Sequence, residues 1–137
     1  HSLSPNLFNL FWQTSNQPNG QYLRMHTDNM KLALESCRIL DIQFASVTHP
    51  LKQAALEASG SVSPTARKLG AANSLRLQED GHWHGDNTDP DGVHFALEQI
   101  NRSQPMSDRT VLIFGAGGAA TARVGGVDDG DRVRQAT

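Results

Sequence analysis

The chain has 137 residues, with 12 Lys+Arg against 14 Asp+Glu and a formal net charge of −2, long enough for one compact domain or for one small domain plus a piece of a second. It carries no basic stripe, which argues against a nucleic-acid partner, and neither an apolar run near the ~18 residues of a membrane span nor a signal-peptide pattern, so a soluble protein with a small-molecule partner is expected. Cys37 is the single cysteine, which excludes an intrachain disulfide framework and a cysteine-based metal site and makes a reducing, intracellular setting the default.

In chain order, His1-Ser2-Leu3-Ser4-Pro5 has the grammar of a loop entering a helix. Ser4 suits the cap, Pro5 the first helical position, and Leu7, Phe8 and Phe11 share one face, which predicts a helix over 5–14. The sequence starts inside this motif without a methionine, so residues upstream of it are expected. The turn-rich stretch 15–20 ends the helix, and Gln21-Tyr22-Leu23-Arg24-Met25 alternates as a short strand does. Asp28 opens a second helix whose apolar side holds Met30, Leu32, Leu34, Cys37 and Leu40, and 42–47 reads as a buried strand. That strand leads into Ser46-Val47-Thr48-His49-Pro50-Leu51-Lys52. Thr48 and Lys52, four residues apart, can point a hydroxyl and an amine into one cleft around a polar ligand; the competing reading is a solvated lysine opening a helix.

The stretch 53–59 is helical in composition, 60–64 interrupts it, and a second short helix runs to Leu69. Gly70-Ala71-Ala72-Asn73-Ser74-Leu75-Arg76-Leu77 turns into a strand, Glu79-Asp80-Gly81 is a turn, and His82-Trp83-His84-Gly85 returns as a hairpin partner. After an exposed loop at 86–89, the pattern is helical from Pro90, with Val93, Phe95, Ala96, Leu97 and Ile100 supplying apolar contacts until a polar connector at 101–108. Residues 110–114 form the clearest strand.

Three constellations carry possible chemistry. The strand at 110–114 runs into Gly115-Ala116-Gly117-Gly118-Ala119-Ala120, where Gly115 permits a tight turn, Gly117 lets backbone approach a pyrophosphate, and the helix start attracts phosphates. A purely structural strand-to-helix turn is the alternative. The rest of the chain does not complete a dinucleotide-binding unit: Gly125, Gly126 and Gly130 interrupt a helix, and 128–137, with almost no apolar residues, predicts a disordered tail and no second strand. Asp128, Asp129 and Asp131 are adenosine-contact candidates by residue type alone.

Gly85-Asp86-Asn87-Thr88-Asp89 is dense in short polar side chains just before a helix. Thr88 or Asp89 can cap that helix, or Asp89 can face Lys52, the carboxylate fixing an amine that exchanges a proton with a ligand hydroxyl. Asn73 comes after small residues that let a ligand approach its amide, which both donates and accepts as a polyol requires; a turn asparagine is the alternative. His82 and His84 have strand spacing, but no third ligand is placed, so no metal site is expected.

Taken together, His1-Ser-Leu-Ser-Pro5, Ser46-Val-Thr-His-Pro-Leu-Lys52, Gly70-Ala-Ala-Asn73, Gly85-Asp-Asn-Thr-Asp89 and Gly115-Ala-Gly-Gly-Ala119 resemble the shikimate dehydrogenase family, in family order and over residues 1–122. The resemblance implies a cytoplasmic, NADP-dependent oxidoreductase of aromatic amino-acid biosynthesis that reduces 3-dehydroshikimate to shikimate. It implies Lys52 and Asp89 as the catalytic pair, Ser2, Ser4, Thr48, Asn73 and Asp89 as substrate-binding residues, and Gly115, Ala116, Gly117, Gly118 and Ala119 as cofactor-binding residues. A dual-specificity quinate/shikimate dehydrogenase and a non-catalytic polyol-binding domain are the alternatives. The family has asparagine where Ser46 stands, a further strand before His1, and a nucleotide-selecting loop and a substrate-contacting glutamine beyond Arg123. An incomplete enzyme with little or no turnover is therefore expected. The expected fold is α/β: residues 1–104 form a substrate domain with a mixed, mainly parallel sheet flanked by helices. Residues 105–137 begin a Rossmann-type nucleotide domain as a truncated strand, turn and helix.

Overall fold

The computed structural model describes residues 3–15, 20–103, 111–114 and 133–136. Helix α1 spans Ser4–Thr14, with proline in its first turn, where the missing N–H costs nothing. The capping role expected of Ser4 is not found: the N-cap position falls on Leu3, which makes no side-chain cap, and Ser4 is already helical. Residues 20–25 form no strand despite their alternation. Asn9 of α1 takes the place of a strand neighbour, donating to the Tyr22 carbonyl at 3.0 Å and accepting from the Tyr22 N–H at 2.7 Å, while the Phe8 ring stacks on Tyr22.

Helix α2, Met30–Ile39, is capped by Asn29, whose side chain accepts from the Leu32 N–H at 3.1 Å, so it starts later than Asp28 suggests. Met30, Ala33, Leu34 and Cys37 form a buried stripe at helical spacing. Leu32, about 200° round the helix from Met30, and Leu40, past its end, are exposed rather than on that apolar side. Asp41, with φ at 55°, closes the helix in the left-handed conformation that aspartate tolerates.

The remaining elements come in close succession: β1 (Phe44–Ser46), α3 (Lys52–Ala58), β2 (Ser61–Val62), α4 (Pro64–Leu69), β3 (Ser74–Leu77), β4 (Trp83–Asp86) and α5 (Asp89–Ser103). Strand β2, in the stretch read as an interruption, is a finding of the structure. The sheet order is β1-β3-β4-β2, with β1·β3 and β3·β4 antiparallel and β2·β4 parallel. The sheet is mixed, as expected, but not mainly parallel, because the tight connection from β3 to β4, with Gly81 at a φ of 82°, can only return the chain antiparallel. Among the described strands β1 lies at the end of the sheet, and Phe44 is 68% exposed, contrary to the buried strand expected.

Leu75 and Trp83, 1% and 2% exposed, occupy the middle of the core, surrounded by Met30, Leu34, Cys37 and Val47 and by the fully buried alanines 55, 66 and 72. The alanines let α3 and α4 approach the sheet closely. Gly85 marks the tightest place: a Cβ there would stand 2.6 Å from Ser59 Oγ and 3.2 Å from Ala72 Cβ. Of the apolar residues expected to make contacts from α5, Val93 and Leu97 are partly buried, whereas Phe95, Ala96 and Ile100 stay exposed.

Strand β5 (Val111–Phe114) confirms the strand expected there, and it pairs in parallel with β6 (Val133–Ala136), Val111 opposite Val133 and Phe114 opposite Ala136. A second strand therefore exists where composition predicts a tail. Ladder hydrogen bonds come from the backbone, so a four-residue strand forms without an apolar sequence once a partner edge is present. Among the described residues no helix is long and apolar enough to cross a membrane.

Candidate functional site

The floor of the site is a three-residue loop, 71–73, leading into β3, tied by its middle residue to the start of α3 and by its outer two to the adjacent residues Asp86 and Asn87. The Ala71 carbonyl accepts from the Asn87 side chain at 2.8 Å, the Ala72 N–H donates to the Lys52 carbonyl at 2.9 Å, and the Asn73 N–H donates to the Asp86 carbonyl at 2.9 Å. Lys52 at the start of α3, Asn73, and Asp89 at the start of α5 are thereby brought together from distant parts of the sequence.

The Lys52 Nζ lies 2.6 Å from Asp89 Oδ2, and the Asn73 Nδ2 donates to the other carboxylate oxygen, Oδ1, at 2.8 Å. Asp89 is thus held at both oxygens, a charge-assisted contact on one side and an amide on the other. The side chains of Lys52 and Asp89 are 26% and 24% exposed, so the pair is shielded yet open to a ligand. Thr88 completes the cluster, its N–H donating to Asn73 Oδ1 at 3.0 Å and its hydroxyl receiving Asn73 Nδ2 at 3.2 Å.

This cluster forms one wall of a cleft of about 390 Å³, whose other walls are Ser4 and Pro5 of α1, residues 22–25, and Ser46, Val47 and Thr48 at the end of β1. That volume suits a small polar metabolite. A hollow of about 460 Å³ at the opposite end of β1 and β3, lined by Gln43, Phe44, Arg76 and residues 77–80, is larger but remote from Lys52 and Asp89. Converging polar groups, not size, single out the first.

Of the residues expected at the site, Ser4, Thr48, Lys52, Asn73 and Asp89 line this one cleft. Ser2 and Gly115, Ala116, Gly117, Gly118 and Ala119 lie outside the described residues. Sequence reading missed the segment 22–25, including Arg24, as a cleft wall, since its alternation reads as a strand; the aromatic Tyr22 facing an aromatic helix was the available signal. It also missed the role of Asp86 beneath the cleft. Hydrogen bonds from the Ser63 hydroxyl, at 2.5 Å, and from the Asn87 N–H, at 2.7 Å, hold the Asp86 carboxyl below its ordinary pKa, with His84 adding to the effect and burial opposing it. Of the two strand-spaced histidines, His84 Nδ1 lies 2.8 Å from the Ser61 hydroxyl, and the His82 backbone N–H donates to Asp80 Oδ1 in the turn at 3.0 Å.

A mixed sheet flanked by helices, with a lysine–carboxylate pair set in a polar cleft, makes this an α/β domain. The sequence model described as the shikimate dehydrogenase substrate binding domain matches residues 1–75. The chain belongs to this family. It is 38% identical over 124 residues to the shikimate dehydrogenase (NADP(+)) of Methanothermobacter thermautotrophicus, covering 89% of this chain and 42% of that one. To the enzyme of the same name from Syntrophobacter fumaroxidans it is 37% identical over 122 residues, covering 89% and 41%. The structure of shikimate 5-dehydrogenase from Thermus thermophilus in complex with NADP(H) and shikimate matches with a TM-score of 0.79 and 32% identity, over 98% of this chain and 51% of that one. The chain thus spans less than half the length of these two curated relatives.

Proposed function

We propose that this cleft binds shikimate and 3-dehydroshikimate, and that the chain is the substrate-binding part of a cytoplasmic NADP-dependent shikimate dehydrogenase. The observation that carries the reading is the Lys52–Asp89 contact of 2.6 Å in a cleft that Ser4, Thr48 and Asn73 also line. A cyclohexene polyol with one carboxylate needs this kind of surround: hydroxyls and an amide that both donate and accept, and a cation to balance the charge.

In the reducing direction the Lys52 ammonium hands a proton to the ring carbonyl oxygen; in the oxidising direction the amine takes it from the hydroxyl. Asp89 holds the ammonium in place and accepts from a neighbouring ring hydroxyl. Asn73 fixes the carboxylate from the far side, and Ser2, Ser4 and Thr48 supply hydroxyls to the substrate's carboxylate and ring oxygens. Strand β5 ends directly before Gly115 and lies parallel to β6, the strand arrangement that a dinucleotide-binding turn needs. Gly115, Ala116, Gly117, Gly118 and Ala119 would hold the NADP(H) pyrophosphate, and this cofactor supplies the hydride when bound.

Calorimetric titration of the purified chain is the test. Saturable shikimate binding is expected, weakened by at least about tenfold in Lys52→Ala, the equivalent of one charge-assisted hydrogen bond. A folded chain that takes up no shikimate overturns the reading; quinate bound as tightly as shikimate shifts it to the dual-specificity relative.

A further inference from the structure

We propose that Asn87 is a positioning residue: its buried amide clasps the loop bearing Asn73 to the first turn of the helix bearing Asp89, and so sets the geometry of the Lys52–Asp89–Asn73 cluster. Asn87 is 2% exposed and is the one buried polar residue among those described. Its Nδ2 donates to the Ala71 carbonyl at 2.8 Å, and its Oδ1 accepts from the Asp89 N–H at 3.0 Å. Its own N–H donates to Asp86 Oδ1 at 2.7 Å, and Asp86 is held in turn by the Ser63 hydroxyl. A buried amide is tolerated only when both ends are satisfied, and here each end grips a different wall of the site.

That double duty dictates the residue type. Aspartate can accept from Asp89 but has no proton for Ala71, and it would add a third carboxylate beside Asp86 and Asp89. Leucine fills the space and bonds to neither. Serine can still accept from the N–H two residues on, as short hydroxyls do in turns, but it is too short to hold Ala71. Because the Ala72 N–H, next along the loop, bonds to the Lys52 carbonyl at 2.9 Å, a loop released from Asn87 loosens Lys52 as well as Asn73. Asn87 lines no part of the cleft, so it acts through these neighbours. Its consequence for shikimate rests on the function proposed above; its hold on the cluster does not.

Proton–nitrogen NMR spectra of the purified chain test the proposal. In the unsubstituted chain the Asn87 side-chain amide protons are expected to be protected from exchange. Asn87→Ala and Asn87→Ser are both expected to shift the Asn73 side-chain amide signals and speed their exchange, whereas Leu34→Ala, a destabilising truncation in the α2 stripe, leaves them in place. Shikimate affinity falls about tenfold or more in both Asn87 variants, with serine no better than alanine because the tether to Ala71 is what both have lost. Freely exchanging Asn87 amide protons in the unsubstituted chain overturn the proposal without any variant having to fold. Unmoved Asn73 signals in a folded Asn87→Ala or Asn87→Ser overturn it too. A chain that shows the Asn73 shifts but never binds shikimate refutes the substrate reading and leaves the positioning role upheld.

Discussion

Asn73 stands where small differences in chemistry have opposite signs. Its amide donates to Asp89 Oδ1 at 2.8 Å while its oxygen accepts from the Thr88 N–H at 3.0 Å, so alanine removes both bonds and aspartate keeps only the acceptor. Asn73→Asp also sets a carboxylate against the Asp89 carboxylate, and two such groups at contact distance cannot both remain charged without cost. Shikimate binding by calorimetry is therefore expected to weaken in the order wild type, Asn73→Ala, Asn73→Asp, the last losing the most although it is the closest in shape. Asn73→Asp binding as well as Asn73→Ala would show that Asp89 does not feel position 73. Cys37 belongs to the same scale but to the core. Burial raises its thiol pKa, so alkylation of the native chain is expected to be far slower than of the unfolded chain, as monitored by mass spectrometry.

At the scale of elements, Ser63 serves two masters. Its side chain caps α4 by accepting from the Ala66 N–H at 3.1 Å and donates to Asp86 Oδ1, so a single hydroxyl joins the helix to the end of β4. The lowered Asp86 pKa means that the unfolded state binds more protons just below the ordinary value of 3.8. The stabilisation is thus present above that pH and is lost as the pH falls through the lower folded-state value. Ser63→Ala is expected to cost about 2 kcal/mol near neutral pH, from the cap and the charge-assisted bond together. In urea titrations the gap between the two proteins should narrow below a pH of about 3.8, leaving the cap contribution. A gap that stays constant down to a pH of about 2 would mean that Asp86 contributes nothing through Ser63.

For the whole molecule, the small size of the core makes single positions decisive. Leu75, on the central strand β3 and 1% exposed, packs with Trp83 at the junction of α2, α3 and the sheet. Leu75→Ala is expected to cost about 3 kcal/mol, a large share of the roughly 5–15 kcal/mol that holds a typical domain together. Thermal unfolding monitored by circular dichroism should show a markedly lower Tm, with shikimate affinity falling in step with the folded fraction. An unchanged Tm would place the core elsewhere.

The residues by themselves determined the local chemistry. Helical periodicity located α1 and α2 to within two residues and α5 to within three, since the residues of an apolar stripe are close neighbours in the chain. Gly81 and the polar turn announced the β3–β4 hairpin, and the short polar cluster before α5 announced a site. Partnership was decided only in three dimensions. Whether residues 21–25 or 133–136 become a strand depends on which edge or side chain meets their backbone, and Asn9 took the first while β5 took the second. Lys52 and Asp89 are 37 residues apart, and no spacing rule reaches across that gap. The loop at 71–73, tied at successive residues to Asn87, Lys52 and Asp86, brings the ammonium and the carboxylate into contact, because fixing three backbone groups leaves the side chains between them one place to go.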